Sequence, residues 1–265
     1  MKSGMGTNLQ STRLICRLFC LIALWTNVSP AKAQEDLLKA LGATGKPLIV
    51  VLQNGSALAV NWAQEHANAV LEAWYPGAEG GTAIAETIAG DNNPAGRLPL
   101  TFYSSLNQVP DFTDYSMKNR TYKYFSGKPL YGFGFGLSYT KFAYSGLKLP
   151  TSVKAGDPAS VEVDVKNSGA VAGDEVVELY LSQPKGFETP IRELAAFKRI
   201  HLNPNESTHV SLNISPRSLG QVDAKGNRVI VPGEYTVSIG STQPGETEAV
   251  QTGKFVIKGQ TTLPK

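Results

Sequence analysis

The chain has 265 residues, 42% of them apolar, with 25 Lys and Arg against 22 Asp and Glu. That is enough for one large or two ordinary globular domains with real cores, and it excludes a low-complexity chain. Lys2, Arg13, Arg17 and Lys32 carry the whole positive excess: without them 21 basic residues face 22 acidic ones, a balance that points to neither nucleic acid nor an anionic membrane.

The first 33 residues read as a secretory leader. A positive start is followed by the short apolar run Leu18 to Trp25 and by Ala31-Lys32-Ala33, a small-x-small cleavage site, so the mature chain is expected to begin at Gln34. The apolar run is shorter than the ~20 residues a transmembrane helix needs. Localisation is therefore expected to be secreted or periplasmic, with no membrane contact after cleavage. Cys16 and Cys20 both lie in this leader, which leaves an exported chain without disulfides, thiol chemistry or a thiolate metal site.

Lys46 to Gln53 (KPLIVVLQ) is a continuous apolar run bounded by glycine turns, the pattern of a strand buried on both faces. Asn61 to Asn68 reads as helix, Ala69 to Trp74 as a second strand and Glu79 to Ala89 as a helix that stops at Gly90. Arg97 to Tyr103 (RLPLTFY) is a third strand candidate, with Pro99 placing it at an edge. Alternating strand and helix implies a parallel sheet.

Residues 120 to 140, RTYKYFSGKPLYGFGFGLSYT, follow neither period. The run reads as an ordered loop of stacked rings, its glycines letting the backbone turn closely. From Phe142 onward the period becomes two. Ser160 to Val165, Glu175 to Leu181, Thr208 to Ile214 and Gly233 to Ile239 are alternating strands separated by Gly, Pro and Asn turns, as in an antiparallel sandwich of immunoglobulin or fibronectin type III character.

His66, His201 and His209 are isolated, so no zinc signature exists, and no G-x-S-x-G elbow or phosphate loop is present. Gly132-x-Gly134-x-Gly136 precedes no helix and is not a nucleotide site.

Five motifs in order carry a family resemblance: Asn54-Gly-Ser56; Trp74-Tyr-Pro-Gly-x-Glu79-Gly-Gly81; Gly90-Asp-Asn-x-Pro94-x-Gly-Arg-Leu-Pro99-x-Thr-Phe102; Arg120-Thr-Tyr122; and Tyr131-x-Phe-Gly-x-Gly-Leu-Ser-Tyr139. With them, residues 34 to 260 resemble the carboxy-terminal part of glycoside hydrolase family 3, the β-glucosidases and β-xylosidases. The resemblance implies a partial α/β layer with its aromatic, glycine-rich linker over 34–141, then a fibronectin type III-like (immunoglobulin-like) β-sandwich over 142–260.

Family members are retaining glycosidases, which need two carboxyl groups about 5 to 5.5 Å apart. The resemblance places the nucleophilic Asp on an amino-terminal barrel and the acid/base Glu upstream of the segment matching Gln34 to Leu38, so neither has a counterpart here. No metal or organic cofactor is implied. The expectation is a fragment of an exported β-glycosidase that is inactive alone, with a separate catalytic barrel half or a polysaccharide as partner. The rival is a secreted, non-catalytic module that binds carbohydrate or protein.

The candidate substrate-binding residues are Trp74, as an aromatic wall, with Glu79, Arg120 and Tyr122. Each also has a structural reading. Glu79 stands at a helix start, where a carboxylate meets the helix dipole favourably, and the others fit inter-domain packing. Without the leader, the run Pro47 to Leu52 is expected to have an unpaired edge that promotes self-association.

Overall fold

The computed structural model describes residues 32–186, 188–246 and 250–264, together with the backbone of 19–25. The leader expectation therefore falls largely outside the described residues. Within it, Phe19–Trp25 forms strand β1, and helix α1 (Lys32–Gly42) starts just before the expected cleavage point. Sequence reading placed no element over α1. It is laced by the i,i+4 pairs Lys32–Asp36 and Lys39–Glu35, and Leu38 is buried.

The chain divides into two compact units, 1–85 with 104–106, and 86–103 with 107–265. In the first, β2 (Leu48–Asn54), helix α2 (Asn61–His66) and β3 (Ala69–Glu72) lie where the hydrophobic pattern places them. The sheet order is β1-β2-β3, all parallel. Seven consecutive pairs, Phe19↔Leu48 to Trp25↔Asn54, join β1 to β2. In the full chain, then, the edge expected to be free carries a strand. Leu48, Val50, Val51 and Leu52 are buried, as a central parallel strand requires.

Helix α3 (Gly80–Ala89) contains the division between the units, after Ala85. It ends at Gly90, whose φ of +88° is the left-handed stop expected of glycine.

The expected third strand at Arg97 to Tyr103 does not join a sheet. Pro99 has no N–H for a ladder. Instead the segment zips against the aromatic loop: Leu98 N–H donates to the Phe135 carbonyl and Gly134 N–H to the Leu98 carbonyl, while Phe102 and Tyr131 form an isolated antiparallel bridge. The aromatic loop itself holds one helical turn, α4 (Thr121–Tyr124).

The sandwich fills the rest of the second unit. Strands β4 (Phe142–Lys148), β5 (Ser152–Lys154), β6 (Ala159–Asn167), β7 (Gly173–Ser182), β8 (Glu193–Leu202) and β9 (Ser207–Ile214) lead to the short helix α5 (Pro216–Leu219). Strands β10 (Gln221–Val222), β11 (Arg228–Ile230), β12 (Gly233–Gly240), β13 (Gln251–Lys258) and β14 (Thr261–Thr262) complete it. One sheet runs β5-β13-β12-β7-β8 and a second β4-β6-β9, with β10-β11-β14 as a third small sheet. On β6, Val161, Val163 and Val165 face inward in strict alternation, meeting Val177, Leu179 and Leu181 of β7 and Tyr235, Val237 and Ile239 of β12 in one core.

The compact unit that holds the sandwich also takes in 86–103 and 107–141.

Candidate functional site

In the first unit, Trp74 follows the end of β3 with a left-handed φ of +51°, and its backbone N–H donates to Glu72 Oε1 at 3.0 Å. A bulky residue in that region is strained and must be held there by its surroundings. Tyr75, next in the chain, lies against Gly55, where a Cβ would collide with its ring. Glu79 is exposed immediately before α3, and the Thr82 hydroxyl donates to its carboxylate at 3.4 Å. Its place suits the partial positive charge of the helix start.

Burial pushes the Glu72 carboxyl up to about 7, against the Trp74 N–H and the Asn54 side chain, which act the other way.

In the second unit, Arg120 closes the loop that precedes it. Its Nε donates to the Ser116 carbonyl, and its Nη2 donates to the carbonyls of Asp111 (2.8 Å) and Asp114 (2.6 Å). The neighbours Asn119 and Thr121 have φ of +56° and +53°, so the backbone is strained on both sides of this clamp. Within the loop, Asp111 and Asp114 accept from the N–H groups of Thr113 and Ser116, two residues on. The Thr113 hydroxyl and then its N–H hold the Asp111 carboxyl below the usual carboxylate range, and the Ser116 N–H and then its side chain hold that of Asp114 there. The clamped loop presents Phe112 and Tyr115, 90% and 89% exposed.

Tyr122 packs where Arg120 points away. Its ring stacks on Phe133 with centroids 4.1 Å apart and meets Tyr180 edge-on at 6.1 Å, while its hydroxyl accepts from the Leu194 N–H. Phe102 meets Tyr131 edge-on, Tyr131 stacks on Phe135, and Tyr103 meets Phe125 edge-on. The Lys123–Glu193 ion pair, at 2.5 Å, fastens α4 to β8. Burial pushes the Tyr131 hydroxyl up to about 12.

Beneath these rings lies a polar cluster that sequence reading did not single out. Arg97 Nη2 pairs with Glu175 Oε2, and the Tyr144 hydroxyl donates to Glu175 Oε1, both at 2.6 Å. Arg97 also donates to the carbonyls of Ser241 and Gly96. Burial raises the proton affinity of Glu175, opposed by Arg97 and the Tyr144 hydroxyl.

Nearby, the Tyr180 hydroxyl donates to Glu178 Oε2 at 2.6 Å, and burial pushes Glu178 up to about 7. One signal was present in the sequence: Glu175 falls on the inward set of β7 with Val177, Leu179 and Leu181, where a carboxylate needs a buried partner. Glu178 and Tyr180 lie on the opposite set and are buried all the same.

The structure thus sets Trp74 and Glu79 in the first compact unit and Arg120 and Tyr122 in the second, each pair with its own local partners. A recess of about 230 Å³ beside Lys123, Tyr124, Gln183, Gln221 and Arg228 includes none of the four. His66, His201 and His209 bond respectively to the Trp62 carbonyl, Asp174 and Asp164. Among the described residues no group of three or more His, Cys, Asp or Glu is arranged to hold a metal, and no helix is long and apolar enough to cross a membrane.

Residues 25–139 match the glycosyl hydrolase family 3 C-terminal domain and residues 175–243 a fibronectin type III-like domain. A xylan 1,4-beta-xylosidase of Xylanibacter ruminicola is 38% identical over 218 residues, which cover 82% of this chain and 25% of that protein. A periplasmic beta-glucosidase of Salmonella typhimurium is 37% identical over 230 residues, covering 81% of this chain and 30% of that protein. The chain therefore spans a quarter to three tenths of the length of these relatives. Among solved structures, a beta-glucosidase from Listeria innocua in complex with glucose superposes with a TM-score of 0.80 at 27% identity, over 91% of this chain and 36% of that one. Beta-glucosidase 3B from Thermotoga neapolitana gives a TM-score of 0.80 at 27% identity, over 93% and 38%. The chain carries the carboxy-terminal α/β domain of glycoside hydrolase family 3 joined to a fibronectin type III-like domain, the carboxy-terminal region of that family's β-glucosidases and β-xylosidases.

Proposed function

We propose that the chain supplies the two terminal domains of an exported β-glycosidase acting on β-glucosides or β-xylosides, and that residues 34–265 do not hydrolyse these substrates alone. The observation that carries this reading is where the carboxyl groups are committed. A retaining glycosidase needs two carboxyls about 5 to 5.5 Å apart around the scissile bond, one of them with raised proton affinity. Among the described residues three carboxyls have raised affinity, and each is engaged inside its own unit: Glu175 by Arg97 and Tyr144, Glu178 by Tyr180, and Glu72 by the Trp74 N–H. Glu79 is exposed and bonded to Thr82. Export to the periplasm or medium is supported by the leader-like start and by the periplasmic relative. The test is aryl β-glucoside and β-xyloside cleavage by purified residues 34–265. No release above an empty-vector control is expected, and turnover that disappears in Glu79→Gln would overturn the reading.

A second reading, a non-catalytic binding module, is favoured by one feature: Phe112 and Tyr115 stand almost fully exposed on a loop fixed by Arg120. Preorganised rings of this kind stack on the apolar faces of sugars or dock a protein partner at low entropic cost. Retention on insoluble xylan or β-glucan that is lost in a Phe112→Ala/Tyr115→Ala double variant would establish it; equal retention of both proteins would remove it.

A further inference from the structure

Two strands of the first sheet end in side chains whose hydrogen bonding does not close. Asn54, the last residue of β2, is fully buried; its Nδ2 donates to the Ser56 carbonyl at 2.6 Å, and its Oδ1 has no partner. Glu72, the last residue of β3, pairs with Leu52 in parallel register, so Asn54, two residues beyond Leu52, shares its face diagonally. Glu72 Oε1 accepts from the Trp74 N–H, whereas Oε2 is sealed from water and also has no partner.

Two neighbouring buried acceptors without a donor are costly, and native structures seldom tolerate them. Both atoms are closed to solvent, so no sugar hydroxyl can reach them. A proton can.

We propose that Glu72 keeps its proton up to near-neutral pH and donates it from Oε2 to Asn54 Oδ1, acting as a positioning residue that fixes the left-handed backbone of Trp74 through Oε1. One proton turns an acceptor-only carboxylate into a donor and satisfies both orphaned atoms at once. Burial works in the same direction, holding the proton up to about 7. No charged neighbour acts on this carboxyl; Asn54 would favour the ionised form only if its N–H₂ faced Glu72, and that N–H₂ is committed to the Ser56 carbonyl, which leaves Oδ1 for the acid proton. The titratable residues of the adjoining segments are Tyr75, against Gly55; Glu79, bonded to Thr82; and Glu65 and His66 on α2, with His66 stacked on Trp62. When the proton leaves, the carboxylate must find water, and the swing toward solvent withdraws the acceptor that holds Trp74.

This inference is independent of whether the chain binds or cleaves a sugar. It is tested on the full chain by following the Glu72 Cδ resonance and the Trp74 indole N–H resonance by NMR from acid to alkaline pH. Glu72 should titrate near neutrality, well above an ordinary carboxyl, and the Trp74 indole should shift with the same midpoint. In Glu72→Gln the amide N–H₂ replaces the acid proton as donor to Asn54, so the Trp74 resonance should become independent of pH. In Asn54→Ala the neutral form loses its acceptor, and the Glu72 midpoint should fall by about one unit or more. A Glu72 midpoint in the ordinary carboxyl range, an unshifted midpoint in Asn54→Ala, or a Trp74 titration that persists in Glu72→Gln would overturn the proposal. Should either variant fail to fold, the two wild-type titrations decide alone.

Discussion

Arg97 and Glu175 form a buried ion pair, 2.6 Å apart, with side chains 7% and 0% exposed. They are 78 residues apart in sequence, and the bond joins the loop after α3 to β7, between β12 and β8 in its sheet. Removing one partner leaves an uncompensated charge beneath the aromatic loop. Arg97→Ala is expected to cost about 3 to 5 kcal/mol in chemical denaturation, while Arg97→Met combined with Glu175→Leu should cost less than either single change. A double variant no better than the worse single one would show that the pair's neighbours, Tyr144 above all, dominate.

Glu178 links stability to pH. Its folded proton affinity lies at about 7 against a reference of 4.5, so between these values the folded state holds a proton that the unfolded state has released. Stability from this group is complete below about 4.5, falls as pH rises and is lost above about 7. The loss is on the order of 3 kcal/mol at most. Glu178→Gln should flatten the slope of unfolding free energy over that window, and a slope unchanged from wild type would contradict the assignment.

Gly134 stands at φ +81°, and a Cβ there would strike Glu178 Oε2 and the Tyr180 hydroxyl. Gly134→Ala combines left-handed strain with overpacking and is expected to destabilise by about 2 to 4 kcal/mol. Gly81, in α3, faces open space without positive φ, so Gly81→Ala should be neutral or stabilising by up to about 1 kcal/mol. Melting temperatures of the two variants should therefore move apart from wild type.

Arg120→Ala removes three bonds to carbonyls between Asp111 and Ser116. The expected outcome is faster cleavage between residues 111 and 119 in limited proteolysis, with a melting temperature changed far less than by Arg97→Ala. Equal protection of this loop in variant and wild type would show that the Asp111 and Asp114 turns suffice.

Proteolysis of the wild-type chain also probes the two units. The resistant fragment should begin near Glu86 rather than near Phe142, because residues 86–103 and 107–141 pack in the unit that holds the sandwich. Amino-terminal sequencing of that fragment checks the point, and a start at Phe142 would mean the sandwich alone carries the protection.

Much of the fold was legible because burial imprints a period on the chain. The alternation on β6 and the solid apolar run of β2 each announced their element. Arg97 to Tyr103 misled because a strand-like composition does not reveal its partner: the segment pairs with the aromatic loop, not with a sheet. Long-range pairing also hid the roles of the candidate residues. Nothing near Arg120 in sequence says that its guanidinium turns back onto Asp111 and Asp114, and nothing near Tyr122 names Phe133 and Leu194 as its contacts. The role of Glu72 was hidden for a related reason, since its unmatched oxygen exists only once β2 and β3 lie side by side.

If residues 1–33 serve as a leader, the pairing of β1 with β2 sets a clock on export. A segment locked into seven backbone pairs cannot be handed to a translocation machine that accepts extended, unfolded chain. Ribosomes add ~5 to 20 residues per second, so about one to five seconds separate the synthesis of Trp25 from that of Leu48. If residues 1–33 serve as a leader, capture must fall within that interval or a chaperone must hold β2 open, and a copy that folds first is stranded on the inner side of the membrane.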